Sequence, residues 1–527
     1  MDASRSVGYR TGYLAAREDT MRAGWTMILL GTLMIGGAAV LSWTAPQPAA
    51  PETRAERRAK RKALKQASRT SGEGTNARGG RPSNESRDPS PQEAAVVAPT
   101  PLTEATPATV QVDTPAAPPH VVVVMGCTVR KDQLTPYGGP ATTTPHLSSL
   151  AAEGTVFDDL VAAAPWTRAA STAILTGHHP VTLGMVEPSP RRNDRKLPDA
   201  TRTLAERFVD QGYITIGGTA NPNLLPEFGF DQGFDHYQPG LKANWAKKLD
   251  GKKLVDALVQ KVDDIGTEKP LYLQMMFLEA HAPRTAPKSD YDTFAEHDMP
   301  DRIAQYRFHV HELDSVVGYL ETTLASRGLD RSNTLFVFVA DHGEGMNYPR
   351  HHGYAHGQYP MPSVVHVPWI MAGPGVAQGH RVLGVASQVD ITATIAGVLG
   401  WPQVDDTEGR DLSPAVRGAP TTDQARVWVD TWFQEANRAA VFTPTHQCQK
   451  DFGSTARQKK KGLFIDGCFD RHADPLLSKP LENDLPLLDD LTEWRSKKAE
   501  TLTKTQVEKT DVDADLADQL EALGYRE

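Results

Sequence analysis

Cysteine is nearly absent, with three thiols in 527 residues. A disulfide-dense scaffold is excluded, so the chain has to fold on a hydrophobic core. Cys448 and Cys468, separated by the polar loop "QKDFGSTARQKKKGLFIDG", either close one disulfide in an oxidising compartment or stay free, and Cys127 is left over. No internal repeat is visible, which excludes a solenoid. Long apolar runs are also lacking, with one exception. Ala23 to Trp43, "AGWTMILLGTLMIGGAAVLSW", carries no charge over 21 residues. At about 1.5 Å per residue such a run spans a hydrocarbon core of roughly 30 Å. It exceeds the usual signal-peptide core of about 7–15 residues, and no A-x-A cleavage site is evident. The expectation is a polar segment at 1–22 and a single membrane helix at 23–43.

A basic surplus is missing as well. The formal net charge is −9, and residues 1–118, with 15 basic and 11 acidic side chains, contribute +4. The remainder therefore carries −13, which argues against a nucleic-acid-binding domain. Residues 44–118 are rich in Pro, Ala, Ser, Thr and Arg, a composition that buries no core and reads as a disordered tether. Its basic cluster, Arg54 to Lys65, reads as a solvated charge run, with contact to anionic lipid as the functional alternative. Basic residues flank the apolar run on both sides, Arg5, Arg10, Arg17 and Arg22 before it and this cluster after it. A plain count would keep the C-terminal bulk in the cytoplasm. The cluster begins ten residues beyond the run, however, and export is the orientation expected.

From residue 119 on, strands alternate with helices. "HVVVVMG" reads as a buried strand, "TPHLSSLAAEGTVF" as a helix stopped by Gly154 and followed by a strand, and "TRTLAERFVDQGYITIGGT" as another such pair. "PLYLQMMFLEAH" and "NTLFVFVADHGEG" are further apolar strands. Between them Val310, Leu313, Val317, Leu320 and Leu324 recur at helical spacing and predict one buried stripe. This alternation indicates an α/β sandwich around a mostly parallel sheet over 119–420. Shorter strands after about residue 420 predict a smaller α+β subdomain at 421–527.

Chemistry is expected past the carboxyl ends of the strands, where open parallel sheets gather ligands. Asp341 and His342 follow "LFVFVA" directly, a carboxylate and an imidazole suited to a metal. Thr167, in "APWTRAASTAILTGHHP", stands near a helix N-terminus, either as a plain N-cap or as a hydroxyl placed for anion chemistry. His281, His352 and His356 lie past other strands, in "FLEAHAP" and "HHGYAHGQY". Each alone is more often an ordinary surface histidine. Together such rings bind an oxyanion or protonate a leaving group.

In this order the segments "TTTPHLSSLAAEGTVFDDLVAAAPWT", "TAILTGHHP", "ANPNLLPEFGFDQGFDHY", "VADHGEG", "AHGQYPMPSVVHVPWIMAGPGV" and "LEALGYRE" resemble the sulfatase family of the alkaline-phosphatase-like superfamily. The resemblance implies an α/β/α sandwich with a smaller C-terminal sheet and hydrolysis of sulfate or phosphate esters at a divalent metal. It further implies Asp341 and His342 as metal ligands, His281 and His356 on the oxyanion, Asn221 against the substrate and Thr167 as nucleophile. The family's convertible Cys or Ser within C-x-P-S-R is replaced here by "TRAAS". A threonine nucleophile is typical of relatives acting on phosphodiesters or transferring phosphoryl groups.

Cys127 is the main departure. "HVVVVMGCTVRKDQL" aligns without a gap to the family's first metal-binding segment, and Cys127 stands where that segment has its aspartate. Calcium and magnesium prefer hard oxygen ligands, whereas a thiolate suits zinc. The metal is expected to be zinc, calcium or manganese, or to be missing if the site is a relic. Three functions follow: a membrane-anchored sulfatase-like ester hydrolase, an inactive sulfatase-like binding scaffold, or a phosphodiesterase or phosphoryl transferase using Thr167.

Overall fold

The computed structural model describes residues 112–187, 194–239, 250–347, 356–421, 425–459, 464–483 and 485–525. The expected membrane helix at 23–43 lies outside them, as do the segment 1–22, most of the tether and His352. Among the described residues no helix is long and apolar enough to cross a membrane.

Eight strands form the central sheet: β1 (His120–Gly126), β2 (Gly154–Val161), β3 (Ile214–Thr219), β4 (His236–Gln238), β5 (Leu271–Phe277), β6 (Thr334–Ala340), β7 (His366–Ala372) and β8 (His380–Ser387). Their order is β4-β3-β5-β1-β6-β7-β2-β8. β1 lies between β5 and β6 and runs parallel to both, with Val121, Val122, Val123 and Met125 fully buried. A strand covered on both faces needs such an unbroken apolar run, because neither side of it meets water.

The sheet is mixed, since β7 runs antiparallel to both β6 and β2. A parallel return requires a crossover that brings the chain back to the starting end. Instead the chain leaves β6 and enters β7 straight from a four-residue helix, Pro362–Val365, so β7 sets out from the end where β6 stopped. The remaining five neighbouring pairs are parallel.

Helices cover this sheet where the periodicity places them. In the helix Asp301–Ala325 the five stripe residues Val310, Leu313, Val317, Leu320 and Leu324 are all buried. The helix Leu204–Asp210 starts on a reciprocal cap, in which the Thr203 hydroxyl accepts from the Glu206 amide and the Glu206 carboxylate accepts from the Thr203 amide.

A second sheet is fully antiparallel, in the order β12-β11-β10-β9, from β9 (Val427–Phe433), β10 (Ala436–Phe442), β11 (His446–Asp451) and β12 (Gly467–Asp470). The helix Pro486–Lys504 buries Leu491 and ties Arg495 to Asp430 of β9 at 2.8 Å. β11 corrects the reading of the stretch after Cys448 as loop, for Gln449 to Asp451 continue the strand. The amide groups of its glutamines find acceptors inside: Gln447 donates to Pro360 O and Gln449 to Ile465 O. Cys448 and Cys468 face each other across β11 and β12 and are joined in a disulfide, which settles the alternative that the spacing left open.

Candidate active site

Four neighbouring strands of the central sheet deliver the site. The register pairs Gly126 with Phe277 on one side and with Ala340 on the other, and Thr219 with Met276. The residues that follow, Cys127 after β1, Asp341 after β6, His281 after β5 and Asn221 after β3, therefore come out at one edge. Adjacent parallel strands ending in step make Cys127 and Asp341 neighbours although 214 positions separate them in sequence.

The turn after β1 is held under strain. Thr128 has φ +58°, a left-handed conformation rarely adopted by a β-branched residue. Its amide donates to Asp341 Oδ1 at 3.0 Å, and its carbonyl accepts from Tyr306 at 2.7 Å. These two bonds hold the turn and fix one oxygen of Asp341. The other, Oδ2, is fully buried with no hydrogen-bond donor among the described residues, and His342 Nε2 is 3.4 Å away.

Thr167 opens the helix Thr167–Thr176 at its first helical position, and Trp166 is the N-cap. The plain N-cap reading of Thr167 is thus corrected, since Trp166 holds that position. Oγ1 lies instead 3.2 Å from His342 Nε2, 3.7 Å from Cys127 Sγ and 2.5 Å from the hydroxyl of Tyr525. His342 Nδ1 faces the Gly343 carbonyl at 2.8 Å, so Nδ1 carries the proton and Nε2 presents its lone pair to Thr167. Burial pushes the His342 imidazole down to about 4, which keeps it neutral near pH 7. Burial, reinforced by the Asp341 carboxylate, pushes the Cys127 thiol well above the usual range.

Asn221 donates to Cys127 Sγ at 3.4 Å, while its own Oδ1 accepts from the Asn223 amide. Arg168 steadies that loop, donating to Asn223 Oδ1 at 3.1 Å with its guanidinium 3.4 Å from the centre of the Phe228 ring. His281 and His356 stand 5.3 Å apart, ring centre to ring centre, and His356 is 4.3 Å from His342. Seven residues singled out from the sequence, Cys127, Thr167, Asn221, His281, Asp341, His342 and His356, thus share one neighbourhood, and His352 lies outside the described residues.

Two members of the site were missed. Glu344 bonds His356 Nδ1 at 3.2 Å and pairs with Arg284 at 3.0 Å. Burial opposes its charge, yet His356, Arg284 and His281 hold its carboxyl well below the usual range. Its place two residues beyond His342 in "DHGEG" was the available signal. Tyr525 lies in "LEALGYRE", one of the segments that carry the resemblance, but nothing local in it pointed to Thr167, 358 residues away.

A profile of the sulfatase family matches residues 119–401. The chain belongs to the sulfatase family. Relatives within the family include an ulvan-active sulfatase of Formosa agariphila, 24% identical over 57% of this chain and 65% of that protein. Bovine (Bos taurus) arylsulfatase A is 26% identical over 72% of this chain and 82% of its own length. The chain spans just under two thirds of the first of these and most of the second. Among solved structures, the phosphonate monoester hydrolase of Agrobacterium radiobacter shares the fold at TM-score 0.59 and 17% identity, over 75% of this chain and 98% of that one.

A sulfatase site implies a divalent metal, and the residues present fit one. Donor atoms of Cys127, Asp341 and His342 lie within 4.8 Å of one another, all fully buried. The buried, unsatisfied Asp341 Oδ2 points to a missing cation, because a lone carboxylate oxygen in such a place is costly.

Proposed function

We propose that the chain hydrolyses sulfate or phosphate esters with Thr167 Oγ1 as nucleophile. The observation that carries this reading is the placement of Oγ1 on the first turn of a buried helix, 3.2 Å from the unprotonated nitrogen of a neutral histidine and beside the thiol–carboxylate pair. The helix N-terminus supplies amides for the developing negative charge, and His342 Nε2, the lone pair beside Oγ1, is the nitrogen a bound metal would take. His281 and His356 stand where the equatorial oxygens and the leaving alcohol have to be held.

Cys127, Asp341 and His342 would hold the metal, which when bound supplies positive charge for the nucleophile and the transferred group. The donor set of thiol, imidazole and carboxylate favours zinc over calcium, which takes six to eight oxygens.

The balance is simple. Thr167 takes the sulfuryl or phosphoryl group, and the alcohol leaves with a proton. Water then takes the group from Thr167 and restores the hydroxyl. Threonine carries one hydroxyl and so cannot expel the group unaided, as a hydrated aldehyde can. An outside acceptor must attack the loaded Thr167, so an alcohol in place of water would make the same site a transferase. Phosphorus, which accepts a second nucleophile readily, is the better fit to that sequence.

The globular part is proposed to work outside the cytoplasm, anchored by the uncharged run at 23–43. The Cys448–Cys468 disulfide supports this, since such bridges persist in oxidising compartments.

Elemental analysis of the purified chain, paired with turnover of aryl sulfate and phosphodiester substrates, tests the reading. Near-stoichiometric zinc that is lost in Cys127→Ala is expected, with turnover that vanishes in Thr167→Ala. A folded chain that takes up no zinc, calcium or manganese and turns nothing over would leave the binding scaffold.

A further inference from the structure

The nucleophile is already covered. Tyr525 is 1% exposed, and its hydroxyl lies 2.5 Å from Thr167 Oγ1. Its ring stands 6.0 Å from that of His281 at an angle of 27° and 5.6 Å from that of His356, with Phe433 edge-on at 6.4 Å. An ester must bring its sulfur or phosphorus to roughly 3–3.5 Å from the attacking oxygen before the bond can form. That space holds the phenol oxygen. Both cannot be there at once.

The route by which Tyr525 arrives separates a firm anchor from a movable tip. The helix Ala514–Ala522 is capped by Asp513, whose carboxylate accepts from the Leu516 amide at 2.8 Å. Leu516, Leu520 and Leu523 bury into the main core. Gly524 then turns the chain at φ +83°, a conformation that glycine adopts without strain. Beside the Thr167 contact, three hydrogen bonds hold the tip among the described residues: Gly524 N donates to Glu521 O at 3.0 Å, Tyr525 N to Leu520 O at 2.8 Å, and Gln434 Nε2 to Gly524 O at 3.2 Å. A swing about Gly524 gives up the ring contacts and hydrogen bonds of Tyr525 and leaves the three leucines seated.

We propose that Tyr525 is a built-in plug that competes with substrate for the space over Thr167, and that turnover requires Gly524 and Tyr525 to swing away. The inference rests on Thr167 as nucleophile for its catalytic consequence, but the occlusion itself is measurable without any reaction.

Cys127 is the reporter, because the other two cysteines are bridged and its sulfur lies 3.7 Å from Thr167 Oγ1. The oxidised, folded chain is treated with methyl methanethiosulfonate, and the rate of Cys127 modification is followed by mass. Tyr525→Ala is expected to react about tenfold faster or more, since the reagent then no longer waits for a local opening. Tyr525→Phe, which keeps the ring, should stay near the wild-type rate. Equal rates for wild type and Tyr525→Ala, with native near-ultraviolet circular dichroism, would overturn the plug. If Tyr525→Ala does not fold, Gln434→Ala decides in the same way, because it frees the Gly524 carbonyl and should speed labelling. Faster labelling without any turnover in either variant would keep the plug and reject Thr167 as nucleophile. Turnover in the wild type with unchanged labelling would do the reverse.

Discussion

Replacing Cys127 with aspartate tests the metal pocket most directly. The new carboxylate would join Asp341, whose donor oxygen lies within 4.8 Å of the present sulfur and of His342. Two unit charges at that distance repel by about 3.5 kcal/mol at an effective dielectric of ~20. In chelator, Cys127→Asp is therefore expected to lose about 3 kcal/mol of unfolding free energy, or to avoid the loss by binding a proton. Calcium at ~100 times its dissociation constant should return about 2.7 kcal/mol, because it binds only the folded chain. The wild type should respond to zinc and little to calcium. Urea denaturation followed by the fluorescence of the nine tryptophans reads both effects. The reasoning fails if the variant is as stable as the wild type in chelator at neutral pH and neither metal separates them. The residue at 127 would then not share a pocket with Asp341.

Glu344→Gln should cost about 1–3 kcal/mol, because it takes the charge partner from the half-buried Arg284 while its carbonyl can still accept from His356 Nδ1; thermal denaturation with and without the substitution checks it. Reducing the Cys448–Cys468 bridge, which closes a loop of separation 20, should lower stability by about 3 kcal/mol, read by urea denaturation with and without reductant. Asp159 governs part of the acid response. Burial opposes its charge, but Arg471, His366 and Lys131 hold its carboxyl down to about 2. A depressed carboxyl stabilises the fold above its unfolded value, and that contribution, about 2 kcal/mol, fades as pH falls from about 4 towards 2. Asp159→Asn should flatten the loss between pH 5 and pH 3 in urea titrations, and an unchanged slope would reject the Arg471 pairing.

Much of the sheet could be read because burial on both faces imposes an unbroken apolar run, as in Val121 to Met125 and Leu335 to Ala340. The stripe in the helix Asp301–Ala325 was legible for a similar reason, one buried face at a fixed period. β11 was not. Gln447 and Gln449 are polar by composition but buried, and their amide groups donate to carbonyls that only the tertiary fold supplies. The direction of β7 was hidden too, since apolar content says nothing about which way a strand runs. In the site, residues standing directly past apolar strands were visible, and Asp341, His342 and Cys127 are of that kind. Tyr525 was not, because its part is set by a turn at Gly524 and a contact far along the chain.

The position of β2 has a consequence for how the chain is made. Its two neighbours in the sheet are β7 and β8, and the nearer of them begins at His366, roughly 200 residues after β2 ends at Val161. At a synthesis rate of about 5–20 residues per second, β2 emerges about 10–40 seconds before either partner exists. Throughout that interval Val156, Phe157, Leu160 and Val161, all buried in the finished sheet, have no strand to pair with. The half built on β3, β5, β1 and β6 needs nothing beyond Ala340 and can form first. Closing the sheet through β7 then becomes the late, non-local step, and any device that shields β2 while the ribosome works sets the yield of folded chain.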